Sequence, residues 1–164
     1  MIENTIEWYN GEIFEARLIA AFGVLAIASG LLLYFFTDAP SSKALLIPLA
    51  VVGVVFAVIG WSMDWSNNRN LANVETVYAE DRTGFLESER QRVEKFQYLY
   101  TMSIGISLAC FLSAVGLLYF ATNIHLQALG IALIVFGSAF AVIDYFSKER
   151  SVSYYQSLNS FHNP

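Results

Sequence analysis

Four long apolar runs constrain this chain more than any other feature. They are "ARLIAAFGVLAIASGLLLYFF" (Ala16 to Phe36), "KALLIPLAVVGVVFAVIGWSM" (Lys43 to Met63), "YLYTMSIGISLACFLSAVGLLYFA" (Tyr98 to Ala121) and "HLQALGIALIVFGSAFAVI" (His125 to Ile143). Each approaches the ~20 apolar residues that a helix needs to cross a bilayer. A helix of a soluble bundle keeps a polar face, and these runs have none. Composition agrees: 56% of the residues are hydrophobic and only 14% are charged, against about a quarter charged in soluble domains. The first run is too long for a cleavable signal peptide and follows an acidic segment, so it is expected to be a permanent span. Spans are expected at about 14–36, 43–63, 98–121 and 125–146 of this 164-residue chain.

Charge sets the expected topology. Arg17, Arg69, Arg82, Arg90, Arg92, Lys95, Lys148 and Arg150 fall on one side of the four spans, and Lys43 alone falls on the other. The positive-inside rule places both termini and the central segment in the cytoplasm. Trp8, Tyr9, Trp61, Trp65, Tyr98, Tyr100 and Tyr145 are expected as an aromatic belt at the inner face, and Tyr34, Phe35, Phe36, Tyr119 and Phe120 at the outer face.

The chain also resembles itself. Shifted by 84 positions, "ALLIPLAVVGVVFAVI" (Ala44 to Ile59) matches "ALGIALIVFGSAFAVI" (Ala128 to Ile143) at ten of sixteen positions. "LLYFFT" (Leu32 to Thr37) matches "LLYFAT" (Leu117 to Thr122) upstream. A duplicated hairpin is the reading, with both copies in the same orientation. Small residues recur seven apart: Gly23 and Gly30, Gly53 and Gly60, Ala109 and Gly116, Gly130 and Gly137. Seven residues is about two turns, so each span is expected to carry a small-residue seam for close packing in lipid.

The polar segments read as helices with narrow apolar stripes. Between spans two and three, Leu71, Val74 and Tyr78, then Leu86, Val93 and Phe96, keep helical spacing on either side of "DRTG". A helical hairpin is expected over about 64–97, with Thr83 as the cap of its second helix. The N-terminus is expected as a short interfacial helix broken at Asn10–Gly11. A separate C-terminal helix is expected at about 147–161. The expected fold is therefore all-α: an integral membrane four-helix bundle of two parallel-repeat hairpins with a cytoplasmic helical cap.

Chemistry-bearing motifs do not emerge. No nucleophile elbow, phosphate loop or paired-histidine motif is present. Cys110 stands alone, and His125 and His162 are far apart, so neither a disulfide nor a metal site is expected. No enzymatic activity, cofactor or nucleic-acid partner is expected. The candidate site is a charge cluster at the inner rim made of Asp144, Lys148, Asp64, Glu15 and Arg17, with Glu12, Glu94 and Arg69 nearby. Asp144 ends one copy of the repeated phrase where Gly60 ends the other. Lys148 lies four residues on, in the favourable order for a helix pair worth about 0.2–0.5 kcal/mol.

Four pieces carry a resemblance: "YNGEIFEARLI" (Tyr9 to Ile19), "TDAPSS" with "KALLIPL" (Lys43 to Leu49), "ESERQRVEKF" (Glu87 to Phe96) and "IDYFSKERSVSYY" (Ile143 to Tyr155). Together they resemble an uncharacterised group of small four-span bacterial inner-membrane proteins. The resemblance implies a bacterial cytoplasmic membrane and carries over no catalytic residue. Within that setting the expected function is binding of a partner protein, one version being immunity to a membrane-targeting antibacterial toxin. The alternatives are an oligomeric channel or carrier and an accessory subunit of a membrane complex. Expected partners are the lipid bilayer and either a second protein or further copies of this chain.

Overall fold

The computed structural model describes residues 2–160, and the side chains of all of these except 96–100 and 159–160. The expectations for Phe96, Tyr98, Tyr100, Phe161 and His162 lie outside the described side chains. Five helices follow in order: α1 (Ile2–Phe36), α2 (Pro40–Ala44), α3 (Leu46–Glu80), α4 (Arg82–Phe120) and α5 (Ile124–Ser160). Four of the helices are long and apolar enough to span a membrane, which makes this a multi-pass membrane protein.

The long helices run without interruption from the apolar runs into the polar segments. At 1.5 Å per residue, α1 and α3 are each roughly 52 Å long, well beyond the ~30 Å of a bilayer hydrocarbon core. Three sequence expectations change as a result. No break occurs at Asn10–Gly11, and α1 continues through both residues. The C-terminal segment is not a separate helix but the second half of α5. Asp81, not Thr83, caps α4: it is extended (φ −146°, ψ 91°), and its carboxylate accepts from Gly84 N–H at 2.9 Å. An acid two residues before Thr83 reaches the same orphan donors and adds favourable charge at the helix start. At the other end of the hairpins, Asn123 accepts from the backbone N–H of His125 at 2.8 Å as α5 begins.

Two hairpins result, α1 with α3 and α4 with α5, and their seams differ. In the first, a methyl group on Gly23 would lie 2.5 Å from the backbone of Gly53 and Ala57. One on Gly60 would lie 2.4 Å from Ala20 N and 2.5 Å from Ala16 O. Gly30 is looser, 3.3 Å from Leu49 Cβ. Helices in lipid associate by such close backbone approach, because lipid tails supply no hydrophobic drive. In the second hairpin, a methyl on Gly130 or Gly137 would lie 3.1 or 3.2 Å from the Leu118 or Cys110 side chain, a tight contact that a small shift of those side chains can relieve. Gly116 does not take part: a methyl there would meet nothing within 4 Å. The expected Ala109–Gly116 seam therefore faces away from the rest of the chain.

The hairpins meet along two apolar clusters. In the apolar half, Ile19, Val52, Phe56 and Ala132 are buried together, with Phe22, Phe136 and Phe140 packed around them. Phe22 meets Phe56 edge-on, with ring centroids 5.1 Å apart. In the polar half, Trp8, Tyr9, Val74, Phe85, Val93, Tyr154 and Leu158 form a second core. Trp8 and Tyr9 are thus interior residues rather than members of a membrane belt. Trp61, Trp65 and Tyr145 remain exposed, as a belt requires.

Candidate functional site

Two charged groupings replace the single expected cluster. Arg17 on α1 pairs with Asp64 on α3, Nε to Oδ1 at 2.9 Å, where the arginine side chain is two-thirds exposed. A pair so open to solvent ties the hairpin weakly. The second grouping lies between the hairpins. Arg150 on α5 donates from Nη2 to Glu12 Oε1 at 3.0 Å and to Glu15 Oε2. Gly11 makes room for this guanidinium, since a Cβ there would come within 2.6 Å of Arg150 Nη1. The glycine that suggested a helix break is instead a point of close approach.

Lys148 belongs to neither grouping. It is exposed, and among the described residues it forms no ion pair with Asp144. Asp144 turns inward instead, and its Oδ2 is buried without a hydrogen-bond partner among the described residues. Gly60, at the equivalent place in the first copy of the phrase, packs on the α1 backbone. A glycine there closes a seam, whereas the aspartate borders an opening.

That opening is a cavity of about 270 Å³. All four long helices wall it. Ile19, Phe56, Ile59, Met63, Ile106 and Phe140 are among its apolar lining, and Glu12, Glu15 and Asp144 gather at its polar side. Glu15 is only 8% exposed, and its Oε1 has no hydrogen-bond partner among the described residues. Buried polar atoms are nearly always hydrogen-bonded, so two orphaned carboxylate oxygens on one cavity are unusual.

Further toward the polar end, Glu89 organises the second core. It is 5% exposed. Tyr9 donates to its Oε1 at 3.2 Å, and Arg92 donates to its Oε2. The Tyr154 hydroxyl lies 3.0 Å from both Glu89 Oε2 and Thr5 Oγ1. The Arg92 guanidinium sits 4.4 Å from the ring centroids of both Trp8 and Tyr9. Every apparent role here is structural: a buried charge is balanced by an adjacent cation and by two hydroxyls. On the surface of this half, Tyr155 and Arg90 donate to Glu94, and together they hold its carboxyl below the usual range.

The sequence reading counted Arg150 only among the inner-side cations and placed neither it nor Glu89 in the candidate site. A sequence signal exists for the faces that meet between the hairpins, although neither Arg150 nor Glu89 lies on it. Thr5, Trp8, Glu12, Glu15 and Ile19 follow alternate steps of three and four along α1, as do Asp144, Ser147, Ser151, Tyr154 and Leu158 along α5. Both rows mark faces that turn toward the other hairpin. Compared with known proteins, the chain matches no family model, no curated protein and no solved structure.

Proposed function

We propose that this is a non-enzymatic membrane protein that binds a small ligand in the cavity between its two hairpins. One observation carries the reading: the cavity is walled by all four long helices and presents the unpartnered Oε1 of the buried Glu15. Apolar walls with a few convergent polar groups are the usual make-up of a ligand site. The setting of this reading is a bacterial inner membrane, with the polar half of the bundle in the cytoplasm as the cation distribution directs. The parallel repeat belongs to the same reading, with one copy keeping a tight seam and the other contributing Asp144.

Thermal unfolding of the purified full chain tests it. The probes are phenylbutylammonium, phenylbutanol and phenylbutyrate, which share one apolar body and differ in charge. At least one is expected to raise the melting temperature in a saturable way, since a ligand that binds only the folded state stabilises it. Met63→Trp, which fills the cavity, should abolish the effect. If none of the three stabilises the protein, the ligand reading fails.

A second reading, binding of a protein partner, is favoured by the outward face of α4. Gly105, Ala109, Ser113 and Gly116 are spaced by three or four residues, and a methyl on either glycine would meet nothing within 4 Å among the described residues. Such a row admits another helix at close range, and a second copy of this chain would offer a matching row. Disulfide crosslinking of Ser113→Cys in a Cys110→Ala background should trap a dimer in membranes. An adduct of another mass would identify a different partner, toxin immunity being one case, and no adduct would dismiss the reading.

A further inference from the structure

Beyond the existence of a ligand site, the chemistry of the cavity says which ligand it takes. This step rests on the reading of the cavity as a binding site. Three carboxylates, Glu12, Glu15 and Asp144, border it. One guanidinium, that of Arg150, bonds Glu12 and Glu15 and leaves Glu15 Oε1 and Asp144 Oδ2 without donors. Arg150 Nε is also unpartnered, but its guanidinium is already held by two acids. The surplus at the site is therefore negative charge and hydrogen-bond acceptors.

Each class of occupant can be weighed against this surplus. An anion meets repulsion from the uncompensated acids. A neutral apolar molecule fills the space and leaves both carboxylate oxygens unsatisfied, at the cost that buried polar groups carry. A small metal ion needs several oxygen ligands at short range. No group of three side chains able to hold a metal occurs among the described residues, and apart from the acids, Ser103 and Ser147 the lining is hydrocarbon. An ammonium with an apolar body satisfies every part. Its N–H groups reach the orphaned oxygens, while its body lies against Ile59, Met63 and Ile106. The rings of Phe56 and Phe140 offer faces that attract a cation. Flexible thioethers adapt to bodies of different shape. The volume of about 270 Å³ lies just under the ~300–1,000 Å³ of sites for drug-sized molecules, so the ligand is small.

We propose that the cavity between the hairpins is a binding site for small hydrophobic ammonium ions, held by Asp144 and Glu15 and enclosed by the apolar residues of all four long helices.

Calorimetric titration of the purified full chain with phenylbutylammonium, phenylbutanol and the quaternary trimethyl derivative of the ammonium tests this. The ammonium is expected to bind at least about tenfold more tightly than the alcohol, the margin of one close charge pair in a site of low dielectric. The quaternary ion, which lacks N–H donors, should fall between them. Among the described residues, Asp144→Asn breaks no side-chain hydrogen bond or ion pair, so it should fold and bind the ammonium at least about tenfold more weakly. Glu15→Gln should weaken binding similarly. If that variant does not fold, because Glu15 also holds Arg150, the Asp144→Asn result decides. Equal affinity for the alcohol and the ammonium would overturn the ammonium assignment while leaving a ligand site in place. Unchanged binding by folded Asp144→Asn would overturn it too. No binding of any probe would remove the site itself.

Discussion

Gly23 and Gly53 face each other so closely that a methyl group on either would lie 2.5 Å from the other's carbonyl oxygen. The Ile27 side chain, 2.5 Å from a methyl on Gly53, could give way, but the carbonyl oxygens cannot, so a larger residue must move backbone. Gly53→Leu is expected to destabilise the protein by about 1–3 kcal/mol or more, the usual cost of overpacking. Gly137→Ala, whose nearest neighbour is a side chain at 3.2 Å, should cost less. Gly116→Ala should be neutral or stabilising, since alanine favours helix over glycine and the site is open. Melting of the three variants in one detergent checks the order. Tolerance of leucine at Gly53 would contradict the seam.

Removing Glu89 should be more damaging than removing any rim charge. Its loss leaves the part-buried Arg92 against two aromatic rings without the Glu89 counter-charge and takes an acceptor from Tyr9 and Tyr154. Breaking a buried pair from one side costs about 3–5 kcal/mol, so Glu89→Ala should fold poorly or melt far earlier. Tyr154→Phe loses the two hydrogen bonds of the hydroxyl, to Glu89 and Thr5, and should cost about 1–3 kcal/mol. Asp64→Ala, which breaks only the exposed pair with Arg17, should change stability by less than about 1 kcal/mol.

Glu94 gives a sign for the acid response. The Tyr155 hydrogen bond first, and the Arg90 hydrogen bond second, lower its pKa from the ordinary 4.5. A carboxyl lowered in the folded state contributes stability that is present above the unfolded value and lost as pH falls through the folded one. Stability should therefore decline below pH 4.5 in part through Glu94. Residue-specific carboxyl titration by NMR should find Glu94 below other exposed glutamates, and Tyr155→Phe should raise it. No change in Tyr155→Phe would show that the hydroxyl is not the main cause.

The orientation is testable with reporter fusions. A periplasm-dependent enzyme inserted between Asp38 and Ser42 should be active, and the same enzyme after Pro164 should be silent. Activity at the C-terminus would reverse or break the four-span arrangement.

The spans were legible because hydropathy in lipid is a one-dimensional property: twenty apolar residues suffice, whatever lies beside them. The close seam was legible for a similar reason, since Gly23, Gly30, Gly53 and Gly60 keep a seven-residue period. Which glycines face a neighbour was not legible, because Gly116 keeps the same period and points away. The charge cluster failed where pairing is long-range. Asp144 and Lys148 are four apart on one helix, and local geometry recommended their pairing. Arg150 instead reaches Glu12 across 138 residues of sequence, a choice made by how the hairpins pack. Asn10–Gly11 misled because a dipeptide common in turns sits where a helix needs space for a guanidinium.

The unbroken length of the helices has a mechanical consequence. With α1 and α3 joined backbone to backbone along their seam, the first hairpin behaves as one stiff blade. Among the described residues, α1 and α4 make no close backbone approach, so the softest joint lies between the blades. A rod has no elbow at which to absorb a tilt. Trp8 of one blade stacks on Tyr154 of the other, with ring centroids 5.1 Å apart, and any rotation there must also change the width of the gap some turns away, between Glu15 and Asp144.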